Sequence, residues 1–165
     1  MASVGFIGLG VMGAAMARHL MGAGYQLALY TRTKAKAEPL LQAGARWADT
    51  PKELAQACDL VFTIVGYPQD VESTYFGPEG LFAGAHPGSC FVDMTTSTPQ
   101  LAVKIAEKAQ ELGVEALDAP VSGGDLGARE ARLTIMVGGA KSSYERVLPY
   151  LEVMGKTIKR QGGPG

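Results

Sequence analysis

The chain has 165 residues, 47% hydrophobic and 19% charged, a balance that suits one globular domain with its own core and excludes a disordered chain. A net charge of -1 offers no basic surface for nucleic acid or anionic lipid, and no apolar run reaches the ~18 residues of a membrane span. Cys58 and Cys90 sit in or beside apolar runs with no Cys/His cluster, so buried, reduced thiols are expected rather than a disulfide framework or a metal site. The N-terminus passes into a strand without a basic region, which predicts no signal peptide and a cytoplasmic location. There is no repeat, low-complexity tract or internal linker.

Val4 to Ile7 is an apolar run that passes directly into Gly8-Leu9-Gly10-Val11-Met12-Gly13, and a helix-compatible run, Ala14 to Met21, follows at once. Strand, glycine turn and helix in that order give G-x-G-x-x-G its meaning in a chain with 22 glycines. Gly8 permits the tight turn, Gly10 has no Cβ to keep a pyrophosphate from the backbone, and Gly13 lets helix and strand pack closely. The free N–H groups of the helix start, with the positive end of its dipole behind them, suit phosphate. Met12, Met16 and Leu20 form the core stripe of this helix, and His19 is read as a packing residue. Gly22 and Gly24 end the helix, and Tyr25 to Tyr30 is the second strand.

The residues after that strand bear on the cofactor. An NAD site usually places an acidic residue about 20 residues past the glycines, to accept from the ribose 2′-OH. Here the segment is Tyr30-Thr31-Arg32-Thr33-Lys34, with no acid before Glu38. A guanidinium binds a 2′-phosphate in a fork, and hydroxyls and a second cation assist. Thr31, Arg32, Thr33 and Lys34 therefore predict NADP over NAD; the bland alternative is a solvated basic turn.

Lys34 to Gln42 is a second helix and Ala45 to Ala48 a short strand. Thr50-Pro51-Lys52-Glu53 opens a helix that runs to Ala57, with a capping box and Pro at the first helical position. Asp59 to Val65 is apolar without alternation, which suits a parallel strand covered on both faces. Gly66-Tyr67-Pro68 then stands at its carboxyl end, either lining a ligand or simply turning the chain. Gln69 to Tyr75 is helical, and Phe76 to Gly88 is a loop-rich connection, with His86 in a turn. Ser89 to Met94 is the next strand. Thr95 and Thr96 follow it, placed to touch a ligand or only to satisfy turn hydrogen bonds. Thr98 caps a helix that begins at Pro99, with Leu101, Ile105 and Leu112 inward. Val114 to Leu117 is a strand, followed by Asp118-Ala119-Pro120-Val121-Ser122-Gly123-Gly124, whose paired glycines expose amides able to hold an oxyanion. Leu126 to Ala131 is a short helical piece, Leu133 to Val137 a strand, and Ser142 to Met154 a helix interrupted by Pro149 and closed by Gly155. Thr157 to Lys159 is a short strand, and Gln161 to Gly165 is loop.

The expected fold is α/β: a Rossmann-type doubly wound, mostly parallel sheet in three α/β/α layers, as a single domain. Four strings, Gly8-Leu9-Gly10-Val11-Met12-Gly13, Asp93-Met94-Thr95-Thr96, Asp118-Ala119-Pro120-Val121-Ser122-Gly123-Gly124 and Thr134-Ile135-Met136-Val137-Gly138-Gly139, together resemble the β-hydroxyacid dehydrogenase family. This is the group of 3-hydroxyisobutyrate dehydrogenase, tartronate semialdehyde reductase and, more distantly, 6-phosphogluconate dehydrogenase. The resemblance implies that Gly8, Leu9, Gly10, Val11, Met12 and Gly13 hold the pyrophosphate, with the Val11 and Met12 amides facing it. It places Thr31 to Thr33 at the adenosine ribose, Val65 and Gly66, with Tyr67 beside them, by the nicotinamide ribose, Thr96 near the nicotinamide, and Ser122, Gly123 and Gly124 on the substrate carboxylate.

Members of that family carry a second, all-helical domain after the stretch that Gly162 to Gly165 resembles, and it supplies a proton-transfer lysine, a substrate-binding asparagine and the dimer interface. The lysine is expected beyond Gly165, and no internal lysine replaces it: Lys104 and Lys108 lie on an exposed helix face and Lys141 opens another helix. The implied activity is NADP-dependent hydride transfer to or from a small hydroxy acid or semialdehyde, with little turnover by this chain alone and a homo-oligomeric full-length form. A non-catalytic NADP-sensing module and an imine reductase relative are the rival readings. Without the second domain, apolar surface near Val147, Leu148 and Leu151 is expected to drive self-association.

Overall fold

β1 (Val4–Ile7) is followed by α1 (Val11–Gly22), β2 (Leu27–Tyr30), a 3-10 turn (Lys34–Ala37) that runs into α2 (Glu38–Gln42), and β3 (Arg46–Trp47). The chain continues through α3 (Pro51–Ala57), β4 (Leu60–Thr63), α4 (Pro68–Phe76), α5 (Leu81–Gly84), β5 (Cys90–Asp93), α6 (Pro99–Leu112) and β6 (Glu115–Asp118). It closes with β7 (Val121–Ser122), α7 (Gly124–Arg129), β8 (Leu133–Gly138), α8 (Lys141–Met154) and β9 (Gly155–Gly162). These elements come from a computed structural model, which describes residues 3–165.

The strands form one sheet in the order β3-β2-β1-β4-β5-β6-β8-β7, with β9 on β8. β3 through β6 are all parallel, β8 is antiparallel to β6 and β7, and β9 is parallel to β8. β1 has β2 on one side and β4 on the other. The chain thus leaves β1 toward one edge and returns to its other side, opening a crevice at the carboxyl ends where ligands of such sheets bind. This is the Rossmann arrangement, as expected.

The sheet is buried on both faces, which is why its strands read as unbroken apolar runs. Phe6, Leu29, Phe62 and Val92 face one way, onto Met16 and Leu20 of α1 and Val147, Leu151 and Met154 of α8. Ile7, Val61 and Phe91 face the other, onto Leu54 of α3, Val71 and Tyr75 of α4, and Ile105 and Ala109 of α6. Thr50 and Thr98 cap α3 and α6 as predicted, accepting from the Glu53 and Leu101 amides at 3.0 and 3.2 Å. The Glu53 carboxylate reaches one residue past the cap, to the Asp49 amide at 2.9 Å. Cys58 and Cys90 are both free and buried, and burial pushes their thiols up to about 11 and about 12. No helix among the described residues is long and apolar enough to cross a membrane.

Several expectations are corrected. Val147 and Leu151 are fully buried and Leu148 is half-buried, so the apolar face of α8 is part of the core rather than an exposed patch for self-association. α8 continues through Pro149 and passes directly into β9, which is longer than the three residues expected and takes in Gln161 and Gly162. Leu112 is 41% exposed, because the inward stripe of α6 continues from Ile105 to Ala109 and leaves Leu112 off it. α5 lies inside the expected Phe76–Gly88 loop, where Leu81 and Phe82 plug the core beside Tyr75. The Asp118–Gly124 stretch holds a short strand the sequence reading did not name, β7 on β8. α1 begins at Val11, directly on the glycine turn.

Candidate functional site

The crevice is a cleft of about 890 Å³ with Ile7 to Gly13 as one wall, Tyr30 to Thr33 at one end, and Ile64 to Gly66 and the α4 side opposite. Its glycines behave as their spacing requires. Gly8 has φ +95°, and a Cβ there would sit 1.8 Å from the Ile64 carbonyl oxygen. A Cβ on Gly13 would sit 2.0 Å from the Gly8 carbonyl oxygen, so α1 packs on β1 by virtue of a missing side chain. Gly10 is the opposite case, with nothing within 4 Å of its would-be Cβ: its backbone is open to the cleft.

Gly10 is also the N-cap of α1 and offers no side-chain cap, and the first helical bond runs from the Ala14 amide to the Gly10 carbonyl at 2.9 Å. The amides of Val11, Met12 and Gly13 therefore have no acceptor within the helix. Free amides, a helix dipole and an uncovered backbone at one spot make a cradle for a diphosphate. The Leu9 amide is not free, because it donates to the Thr31 hydroxyl at 3.4 Å. Thr31 is buried, and this bond ties the end of β2 to the phosphate turn.

Arg32 lines the cleft with its side chain 79% exposed, and its guanidinium stands 3.4 Å from the Asp70 carboxylate, across the cleft on α4. Asp70 also accepts from the Tyr67 amide at 3.1 Å, which fixes the first turn of α4. Thr33 is exposed and caps the 3-10 turn without a side-chain bond. Lys34 lies over the Trp47 ring, 5.2 Å from its centroid, while Lys36 lines the cleft.

Val65 and Gly66 form the opposite wall, whereas Tyr67 stands 70% exposed outside the lining. The Val65 amide donates to the Thr95 hydroxyl at 3.0 Å. Thr95 in turn donates its amide to Asp93 Oδ1 at 3.0 Å. Thr96 is exposed on the adjoining loop. Burial pushes the Asp93 carboxyl up to about 6, against hydrogen bonding by Thr95, which lowers it, and with Asp118 adding a smaller upward push.

Ser122, Gly123 and Gly124 are exposed at the β7–α7 turn, with φ of +132° at Gly123 and +60° at Gly124. The next residue, Asp125, lines the main cleft, so this turn stands beside the phosphate turn. His19 explains the placement: its Nε2 lies 2.9 Å from both the Ala128 and Arg129 carbonyl oxygens, docking the end of α7 on α1. The structure thus brings Gly8 to Gly13, Thr31 to Thr33, Val65 and Gly66 together on the cleft lining, and leaves Lys34, Tyr67, Thr96 and Ser122 to Gly124 off it, the last three next in the chain to Asp125, which lines it. Sequence reasoning missed Lys36, Asp70, Asp125 and the Asp93–Thr95 link. An acid three residues past the cap of α4 was the available signal for Asp70. No group of metal-ligating side chains occurs among the described residues.

The chain is similar to known proteins over nearly its whole length. The chain is 53% identical over 163 residues to the oxidoreductase YkwC of Bacillus subtilis (99% of this chain, 57% of the relative). It is 43% identical over 162 residues to 2-hydroxy-3-oxopropionate reductase of Escherichia coli (98% and 55%). The chain therefore spans just over half the length of these curated relatives. Among solved structures, 3-hydroxyisobutyrate dehydrogenase of Mycobacterium tuberculosis, studied with L-serine, superposes with a TM-score of 0.92 at 33% identity, over 99% of this chain and 55% of that one. An imine reductase of Streptomyces aurantiacus superposes with a TM-score of 0.86 at 28% identity, over 98% and 56%. Residues 3–163 match the family described as the NAD binding domain of 6-phosphogluconate dehydrogenase, and the chain belongs to that family, a nicotinamide-dinucleotide-binding domain of the hydroxyacid dehydrogenase group.

Proposed function

We propose that this chain holds NADP(H) as the cofactor half of an oxidoreductase acting on a small 3-hydroxy acid or its semialdehyde, of the 3-hydroxyisobutyrate or tartronate semialdehyde type. The observation that carries the reading is the cradle at Gly10: an uncovered backbone and the free amides of Val11, Met12 and Gly13 at the floor of a large cleft. When bound, the nicotinamide supplies hydride transfer at its C4, and the protein's share is position and electrostatics. The amides hold the diphosphate, the Val65–Gly66 wall holds the nicotinamide ribose, and the Ser122–Gly124 turn holds the substrate carboxylate. The proton on the substrate oxygen is moved by a lysine outside this chain, a role worth typically ~10²–10⁴-fold, and the full-length enzyme is a homo-oligomer.

NADP is preferred over NAD because Arg32 and Lys36 bring positive charge to the cleft lining after β2, and that segment carries no carboxylate before Glu38. Arg32→Asp removes the fork for the 2′-phosphate and adds a repelling charge. NADP+ binding then weakens by about 10–100-fold, the equivalent of about 1.4–2.8 kcal/mol, while NAD+ binding changes little. Unchanged NADP+ affinity would mean the 2′-phosphate is held elsewhere.

The likeness to an imine reductase supports a second reading, in which the same cofactor half serves a cyclic imine. A full-length homologue assayed with NADPH on 1-pyrroline and on succinic semialdehyde separates the two by which substrate turns over. The Ser122–Gly124 turn beside the cleft counts against a pure nucleotide sensor, which has no use for it.

A further inference from the structure

We propose that Asp93 is a positioning residue of the cofactor site, setting the wall of the cleft at Val65 through the Thr95 hydroxyl. The role rests on the dinucleotide reading above. Thr63, Asp93 and Asp118 are register partners at the carboxyl ends of β4, β5 and β6, so their side chains share one face of the sheet. Thr63 and Asp93 are buried there. A buried carboxylate with no cation beside it is costly, so its place beneath a cleft calls for a reason. The hydrogen bonds supply one. Thr95 takes the Val65 N–H on its hydroxyl oxygen at 3.0 Å, and its own backbone N–H donates to Asp93 Oδ1 at 3.0 Å.

An ionised Asp93 accepts only. It therefore holds the Thr95 backbone N–H with a charge-assisted bond, and so sets where the Thr95 hydroxyl oxygen stands to take the Val65 N–H. A protonated Asp93 holds that N–H less strongly, and the Val65 wall loosens. The groups facing Asp93 do not offset its charge. Asp118 on β6 is a second carboxylate, already bonded by the Gly165 amide at 3.0 Å. Tyr75 on α4 has a hydroxyl held neutral by burial first and by Asp93 second. Ala102, Ile105 and Ala106 of α6 and Gln161 of β9 bring no charge to the adjoining cavities. Burial places the Asp93 titration at about 6, where the change is accessible.

The test uses the intact chain and calorimetric titration with NADP+. At pH 8, Thr95→Val leaves the Val65 amide without its acceptor and weakens NADP+ binding about tenfold, whereas Thr95→Ser keeps it within about twofold. Between pH 8 and pH 5.5, wild-type affinity falls about fivefold further than that of Asp93→Asn, which serves as the baseline because the cofactor 2′-phosphate itself titrates near pH 6. In the ligand-free protein the Val65 amide NMR signal moves with a midpoint near 6 and stays fixed in Asp93→Asn. Thr95→Val binding as tightly as wild type, or superimposable wild-type and Asp93→Asn pH profiles, overturns the role while leaving the dinucleotide reading intact. A wild-type chain that binds no NADP+ at pH 8 overturns both. Should Thr95→Val fail to fold, the paired pH profiles and the Val65 signal decide alone.

Discussion

Two glycines three residues apart give opposite predictions when each is changed to alanine. In Gly13→Ala the new Cβ falls 2.0 Å from the Gly8 carbonyl oxygen and 3.0 Å from its carbon, both backbone atoms that cannot rotate aside. α1 must lift off β1, an overpacking that costs about 1–3 kcal/mol. At about 2–4 °C per kcal/mol for a domain of this size, the melting temperature drops by about 5–10 °C. In Gly10→Ala the Cβ meets nothing within 4 Å. The backbone there has φ -65° and ψ -171°, ordinary extended geometry for alanine. A less favourable N-cap and a less flexible unfolded chain, each worth about 0.5–1 kcal/mol, nearly cancel, so the melting temperature moves by less than about 3 °C. Yet that methyl projects into the position the diphosphate takes. Breaking two amide bonds to a charged phosphate, about 1.5–3 kcal/mol each, weakens the cofactor by about 10²–10⁴-fold. Thermal melts and NADP+ titration of both variants check the pair. Gly10→Ala that binds NADP+ as wild type does would refute the cradle.

Asp93 carries a pH prediction for stability. Its carboxyl is pushed up to about 6 in the folded protein, about 2 units above an unfolded aspartate. The folded state therefore binds the proton more tightly, and stability falls as pH rises from about 4 to about 6 and is flat above. Asp93→Asn removes that penalty and gains about 3 kcal/mol at pH 7 in urea denaturation; a variant less stable than wild type at pH 7 would contradict it. Asp70→Asn releases Arg32 from an exposed pair worth about 0.2–1 kcal/mol, so NADP+ binds about two- to fivefold tighter by titration, and weaker binding would show that Asp70 supports the site. Assayed with NADPH and succinic or tartronic semialdehyde, the chain turns over at least ~100-fold more slowly than a full-length relative, in line with a missing acid/base group; turnover within tenfold would refute the division of labour.

Most of the sheet was legible because parallel strands buried on both faces leave long apolar runs, and because helix starts carry local signals. Thr50-Pro51 and Thr98-Pro99 name their helix starts within a few residues, and Gly8, Gly10 and Gly13 name the crevice. What was not legible depends on angle and on partners distant in the chain. Whether Lys34 or Lys36 faces the cleft turns on a 3-10 turn of about 3.0 residues per turn in place of an α-helix. The Arg32–Asp70 pair and the Thr95–Val65 bond join different βα units, and no spacing rule announces them. The face of α8 was misread for the same reason: Val147 and Leu151 look unpartnered until β8 and α1 are seen beneath them.

The most direct measurement is a side-by-side calorimetric titration of the chain with NADP+ and NAD+. Saturable binding of both, with NADP+ at least about tenfold tighter, is the predicted result. No heat with either nucleotide, or tighter binding of NAD+, would contradict the cradle at Gly10 or the selection by Arg32, respectively.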